Sequence, residues 1–172
     1  MTRDERFETE ALPHLRPLYR TAYRMTRNPA DAEDLVQETF LRAYRALERF
    51  DARAAFTTWI HRIAINCSLD LIDSRKRRDA KHDDEALAAI ASTAATPDRI
   101  VHGLEMQRAV ATAMERLSGN ERTAFVLRHF EGMPLEEIGQ VLGTQINATK
   151  NTVFRAVKKL REQLQPFTGS LI

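Results

Sequence analysis

Between Leu117 and Leu164 the chain is punctuated as three helices in close succession, the last with an apolar seam on one side and amide, basic and aromatic side chains on the other. Ser118, with Glu121 three positions on, is a capping box; it opens a helix through about Phe130 that Gly132 closes. A second, short helix begins at Pro134, where a missing amide proton costs nothing, and carries Leu135, Ile138, Val141 and Leu142 to a stop at Gly143. The third, from about Ile146, sets Ile146, Val153, Val157, Leu160 and Leu164 on one stripe. Its other side carries Asn147, Asn151, Phe154, Arg155 and Lys158. An amphipathic surface helix of an unrelated bundle has the same periodicity, but an ordinary solvated face carries Glu and Lys pairs. Amide, aromatic and basic groups with no acid before Glu162 suit base edges and phosphates better, so the stretch reads as a helix-turn-helix.

Charge and composition narrow the class. The net charge is only +2, and both ends of the chain are mildly basic while the stretch between them is acidic. That is a weak electrostatic footprint for an independent DNA binder, which implies modest affinity or a shared partner. The single cysteine, Cys67, excludes an internal disulfide framework and a multi-cysteine zinc site. His14, His61, His82, His102 and His129 show no ligand spacing, and there is no glycine-rich phosphate loop, so no metal, cofactor or catalytic activity is expected. No apolar run approaches a membrane span and the charged start Met1 to Glu10 is unlike a signal peptide, which predicts a cytoplasmic protein.

The acidic stretch divides the chain. Residues 79–103 lose their aromatics and gain acids, alanines and a Thr-Pro pair, which reads as a linker, with at most a helical turn at Ala86 to Ala91. The expected organisation is all-α: a helical domain over 1–78, the linker 79–103, and a smaller helix-turn-helix domain over 104–172. The latter opens with Met106, Val110, Ala113 and Leu117 at helical spacing. In the first domain one helix is expected from about Leu12 to Thr26, trimmed or kinked by Pro17. Asn28-Pro29 caps a second, whose Val36, Phe40, Ala43, Leu47 and Phe50 face the core. Opposite them lie Asp34, Gln37, Glu38, Arg45 and Glu48, with Leu41 as the one apolar residue in a charged stripe; an incidental exposed leucine and a docking contact both fit.

A third helix, about Phe56 to Arg77, buries Phe56, Ile60, Ile63, Cys67 and Leu71 and exposes Arg62, Asn66, Asp70 and Asp73. The loop Asp51 to Ala55, with Arg53, leads into it past Phe56 and Trp59, and Arg75-Lys76-Arg77-Arg78 closes it. Aromatics beside a small loop, an Asn one turn from an Arg, and a basic cluster suit unstacked bases and their backbone. The same residues also fit a plain core with a basic helix end favoured by the dipole, and for Phe56 and Trp59 taken singly the core fits better.

Taken together, DAEDLVQETFLRAYRALERF, FTTWIHRIAINCSLDLIDSRKRR, LSGNERTAFVLRHFEGMPLEEIGQVLG and RAVKKLREQL closely resemble the extracytoplasmic-function sigma factors of the sigma-70 family, over about Leu18 to Leu164. The resemblance implies bacterial core RNA polymerase, promoter DNA and an anti-sigma factor as partners, with no active site in the chain itself. By position it implies that Asp34, Gln37, Glu38, Leu41 and Arg45 meet the polymerase clamp. The loop Asp51 to Ala55 with Phe56, and Asn66, would then receive a flipped minus-ten base and its neighbour. Lys150, Asn151, Phe154 and Arg155 would read the minus-thirty-five major groove, and the acidic linker would thread the polymerase.

The chain departs from that pattern at Thr144-Gln145-Ile146-Asn147-Ala148, where the family has a small polar residue, an acid, glycine and threonine. Thr152 stands where an arginine is common, and Met133-Pro134 replaces a serine or threonine cap. Two rival readings remain at this point. A sigma mimic that only binds an anti-sigma factor would carry a receiver domain, for which there is no room. A conventional helix-turn-helix regulator would need neither Leu41 nor the aromatic and basic groups around Asn66.

Overall fold

The structure, a computed structural model, describes residues 1–81 and 99–168, and among these it contains helices and turns with no strand, as expected. The first half comprises α1 (Arg3–Ala11), α2 (Leu15–Thr26), α3 (Pro29–Ala46) and α4 (Phe56–Lys81). The second comprises α5 (Arg99–Glu115), α6 (Gly119–Phe125), α7 (Leu135–Leu142) and α8 (Ile146–Thr168). Helix α1 was not expected. Its start is nonetheless written in the sequence: Thr2 accepts from the Glu5 amide and the Glu5 side chain bonds the Thr2 amide, a complete capping box. The expected first helix begins later than Leu12, because Leu12–His14 forms a 3-10 turn. Pro17 then falls in the opening turn of α2, where its missing donor is harmless.

Helices α2 and α3 form a hairpin. Arg27 ends α2 in the left-handed region at φ 58°, and Asn28 caps α3 by accepting from the Asp31 amide at 3.1 Å, with Pro29 in the first turn. Leu18, Val36, Ala43, Ile60 and Ala64 pack at the centre of this half, of which Val36, Ala43 and Ile60 belong to the stripes expected on α3 and α4. α4 runs to Lys81 and α5 starts at Arg99, so helix enters the expected linker from both sides; the expected turn at Ala86 to Ala91 lies outside the described residues. In the second half, the expected single helix from Ser118 to Phe130 is α6 followed by a π-helical turn, Val126–Phe130. The sequence pattern cannot distinguish that widening from α-helix.

The two halves share one core. Besides the expected stripe, α4 buries His61, Ile65, Ser68 and Ile72, which recur at helical spacing on a second face. Ile65, Ile72 and Met25 belong to the same cluster as Leu117, Leu127, Ile138 and Leu160, with Leu69 packed against it. Leu69 approaches so closely that a Cβ on Gly119 would lie 2.7 Å from its Cδ2. Arg122, 5% exposed, donates to the Met114 carbonyl at 3.0 Å and, across the seam, to the Met25 carbonyl at 2.9 Å. Burial lowers the affinity of its guanidinium for the proton. Met25 lies in the last turn of α2, whose terminal carbonyls lack helical partners and favour a cation. At the edge of the seam Arg24 pairs with Glu131 at 3.3 Å and lies 4.2 Å over the Phe130 ring. Burial lowers the pKa of His61, whose Nδ1 lies 2.8 Å from the Thr57 carbonyl and whose Nε2 has no protein partner.

Candidate nucleic-acid and partner interfaces

The turn between α7 and α8 is held by a set of hydrogen bonds. The Thr144 amide donates to the Gly139 carbonyl at 2.9 Å, Thr144 and Thr149 share a hydroxyl hydrogen bond of 2.7 Å, and Thr149 also donates to the Gln145 carbonyl at 3.0 Å. Gly143 ends α7 at φ 69°, in the left-handed region where glycine is favoured. Pro134 precedes α7 without a side-chain cap, as the Met133-Pro134 departure implies. Thr149, fully buried, sits where α8 meets this turn, and that corrects the expected stripe: Ile146 is 48% exposed, since in the first turn the inward position is taken by Thr149.

With α8 fixed in this way, Asn147, Lys150, Asn151, Phe154, Arg155 and Lys158 are all exposed along it, Phe154 to 68%. Thr152 is turned inward, bonds the Ala148 carbonyl at 2.9 Å, and receives a long 3.4 Å contact from Arg155. The position where the family commonly has arginine is therefore spent on packing here. Beside Phe154 a depression of about 600 Å³ brings Arg128, His129 and Arg161 next to Lys150 and Lys158. The helical wheel of α8 gave no sign of Arg128 or His129, which come from the π-helical turn.

The loop before α4 is also constrained. Ala52 holds φ 58°, which costs a non-glycine residue on the order of 1–2 kcal/mol and persists only where the surroundings impose it. Asp51 supplies part of that restraint, accepting from the Arg53 amide at 3.2 Å and pairing with its side chain at 3.0 Å. Phe56 and Trp59 are half-buried and pack with Phe50, with ring centroids 5.0–5.4 Å apart, so they brace the loop from the domain side. Arg62 and Asn66 are exposed one turn apart on α4. The basic run divides. Lys76, Arg77 and Arg78 are exposed with no ion pair described, whereas Arg75 forms an ion pair with the largely buried Asp31 carboxylate and is engaged within the fold.

On α3, Asp34, Gln37, Leu41 and Arg45 are exposed, and Glu38 is half-buried with its carboxylate 2.6 Å from Arg42. Leu41 is 52% exposed at the centre of this polar face. Three surfaces are thus exposed: the α3 face, the loop and outer face of α4, which an Arg42–Asp70 ion pair at 3.8 Å joins to the α3 face, and the outer face of α8. The packing of the two halves covers none of them.

Residues 12–78 match the profile of sigma-70 region 2, and residues 107–160 match that of sigma-70 region 4. The ECF RNA polymerase sigma factor SigW of Bacillus subtilis is 32% identical over 157 residues, covering 86% of this chain and 83% of its own length. The chain belongs to the extracytoplasmic-function sigma factors of the sigma-70 family. SigE of Mycolicibacterium smegmatis is 33% identical over 151 residues, but this sigma factor spans only 58% of that longer protein. Among solved structures it resembles the sigma factor RpoE of Bartonella quintana in complex with the anti-sigma factor NepR, with TM-score 0.66, 25% identity, and coverage of 94% of this chain and 98% of that one. CnrH in complex with the cytosolic domain of CnrY gives TM-score 0.69 and 29% identity, covering 95% of this chain and 90% of that one. Among the described residues of this sigma factor, no helix is long and apolar enough to cross a membrane.

Proposed function

We propose that this sigma factor is the promoter-specificity subunit of a bacterial RNA polymerase, acting in the cytoplasm and held in check by an anti-sigma factor. The observation that carries the reading is the match of both halves, in order, to the two sigma-70 regions, with the implied faces of α3 and α8 and the Arg62–Asn66 side of α4 exposed, while Arg75 and Lys76 line a hollow at the seam. The division of labour runs along the chain. Residues 1–78 bind polymerase and melted minus-ten DNA, 79–103 connect, and 104–172 read the minus-thirty-five element. Asp34, Gln37, Glu38, Leu41 and Arg45 form the docking face. Arg53, Phe56, Trp59, Arg62 and Asn66 receive the unpaired strand, and Lys76, Arg77 and Arg78 neutralise its backbone. Arg75 contributes there only if it gives up Asp31. Solved relatives bound to NepR and CnrY support an anti-sigma partner for this chain as well.

Run-off transcription with purified core polymerase tests the function; no transcript from any promoter-bearing fragment would overturn it. In that assay Asn66→Ala is expected to lower open-complex formation on duplex promoter by about tenfold, a part of the few kcal/mol that base extrusion costs, and far less on a pre-melted bubble. Equal defects on both templates would make Asn66 a stabiliser of the domain alone.

The outer face of α8 yields a second expectation, because side chains that touch base edges and those that touch phosphates fail differently. Arg155→Ala should cost holoenzyme about 1–3 kcal/mol of promoter binding and relax preference at one or two base pairs. Lys158→Ala should weaken all sequences alike and make the salt dependence shallower. Tight, sequence-specific duplex binding by the isolated chain would instead identify a conventional regulator.

A further inference from the structure

Helix α1 begins before the segment matched by sigma-70 region 2, which starts at residue 12, and it is tied firmly to α3. Phe7 stands edge-on to Phe40 at 5.7 Å and to Tyr44 at 5.3 Å. The Arg3 guanidinium lies 4.3 Å over the Tyr44 ring and donates to the Tyr44 carbonyl, while the Tyr44 hydroxyl donates to the Asp4 carboxylate at 2.6 Å. Between α1, the start of α2 and α3 this leaves a groove of about 420 Å³, walled by Phe7, Leu15, Val36, Phe40 and Leu41 with Gln37 at its edge. Leu15 is 46% exposed and Leu41 52%, so two leucines far apart in sequence project over one apolar hollow. Leu41 is therefore not alone on this side of the molecule.

We propose that the groove is part of the polymerase-docking surface and receives apolar side chains from the core-polymerase element that meets Leu41, its volume of about 420 Å³ being more than one such side chain fills. The inference rests on the reading of α3 as the docking helix and adds α1 and Leu15 to it. Gln37 and Leu41 belong both to the docking face and to the groove, so a partner seated on Leu41 covers the hollow. Covered and left unfilled it would be an apolar void, which close-packed interfaces avoid. Its walls are already fixed by the aromatic contacts and the Tyr44 hydrogen bonds, so little side-chain freedom is lost on filling it. The charged groups Asp34, Glu38, Arg42 and Arg45 on the same helix give an apolar centre with a polar rim, the anatomy of a protein interface rather than of a small-molecule site.

The test is equilibrium binding of the full chain to purified core polymerase, with thermal stability and sedimentation measured in parallel. Leu15→Arg is expected to raise the dissociation constant by about tenfold or more with an unchanged melting temperature, as for a truncated interface anchor. Combined with Leu41→Arg, it should cost less than the sum of the two single changes, because both spoil one contact. If Leu41→Arg weakens binding and Leu15→Arg does not, or if the two effects are fully additive, the groove proposal falls and the α3 reading stands. Neither substitution having an effect would remove both. A self-associated chain that Leu15→Arg dissociates, with polymerase binding intact, would assign the groove to a second copy and also overturn the proposal. Should Leu15→Arg lower the melting temperature, Leu15→Ser is read in its place with the same criteria.

Discussion

Gly139→Val is expected to abolish the helix-turn-helix as a folded unit, with loss of minus-thirty-five recognition and retention of polymerase binding through α3. A Cβ at position 139 would lie 2.7 Å from the Thr144 carbonyl oxygen and 3.0 Å from the Thr149 hydroxyl. The first of these is backbone, held in place by the turn that joins α7 to α8, and cannot rotate away. Alanine improves helix propensity by about 1 kcal/mol yet meets the same overlap, and overpacking costs about 1–3 kcal/mol, so Gly139→Ala should come out mildly destabilising. Valine adds branching against the same wall and should exceed about 3 kcal/mol. Thermal unfolding followed with mobility shift on holoenzyme separates the cases. A Gly139→Val protein that melts like the parent would mean the turn relaxes freely, contrary to its hydrogen bonding.

Arg122→Met is expected to part the two halves while leaving each helical. Methionine keeps the apolar stem but removes the donors to the Met114 and Met25 carbonyls. Hydrogen bonds from a charged group contribute about 1.5–3 kcal/mol each, offset in part by relief of guanidinium burial, so a net loss of about 2 kcal/mol is reasonable. The bond to Met25 crosses the seam, whereas the bond to Met114 does not. A larger radius of gyration by small-angle scattering, with unchanged far-ultraviolet circular dichroism, is therefore the expected signature. A lower melting temperature at constant radius would show that Arg122 serves only its own half.

Most of the architecture could be read from single helices because each carries its own start, stop and stripe. Ser118, Asn28, Gly132 and Gly143 act through local backbone chemistry, which a sequence displays directly. Apart from α1, whose capping box was there to be read, and the π-helical turn after α6, what escaped depends on two segments meeting. Ile65, Leu69 and Ile72 are apolar outside the main stripe of α4, and that excess was the available signal of a second buried face. Arg122 gave none, since a buried arginine that answers a distant helix end looks like any other arginine. The exposed faces of α3 and α8 were legible, whereas Arg75 joined the basic run in the sequence and is committed to Asp31 in space. Ile146 misled because periodicity cannot tell an overhanging first turn from a buried one.

The double burial of α4 also bears on how long the separated halves survive. A helix with one interior face is content as the edge of a domain, but α4 has two, and the second is covered only while α6 and α7 lie on it. Any event that draws the halves apart leaves Ile65, Leu69 and Ile72 as a hydrophobic ridge in water, with Gly119 no longer capping Leu69. Outside a larger assembly, such a species has three outcomes: reclosure, capture by another protein, or clumping with its own kind. The last rises with concentration while reclosure does not. Overproduction therefore favours precipitation of opened chains, and a cell that keeps this polypeptide scarce or escorted keeps it soluble.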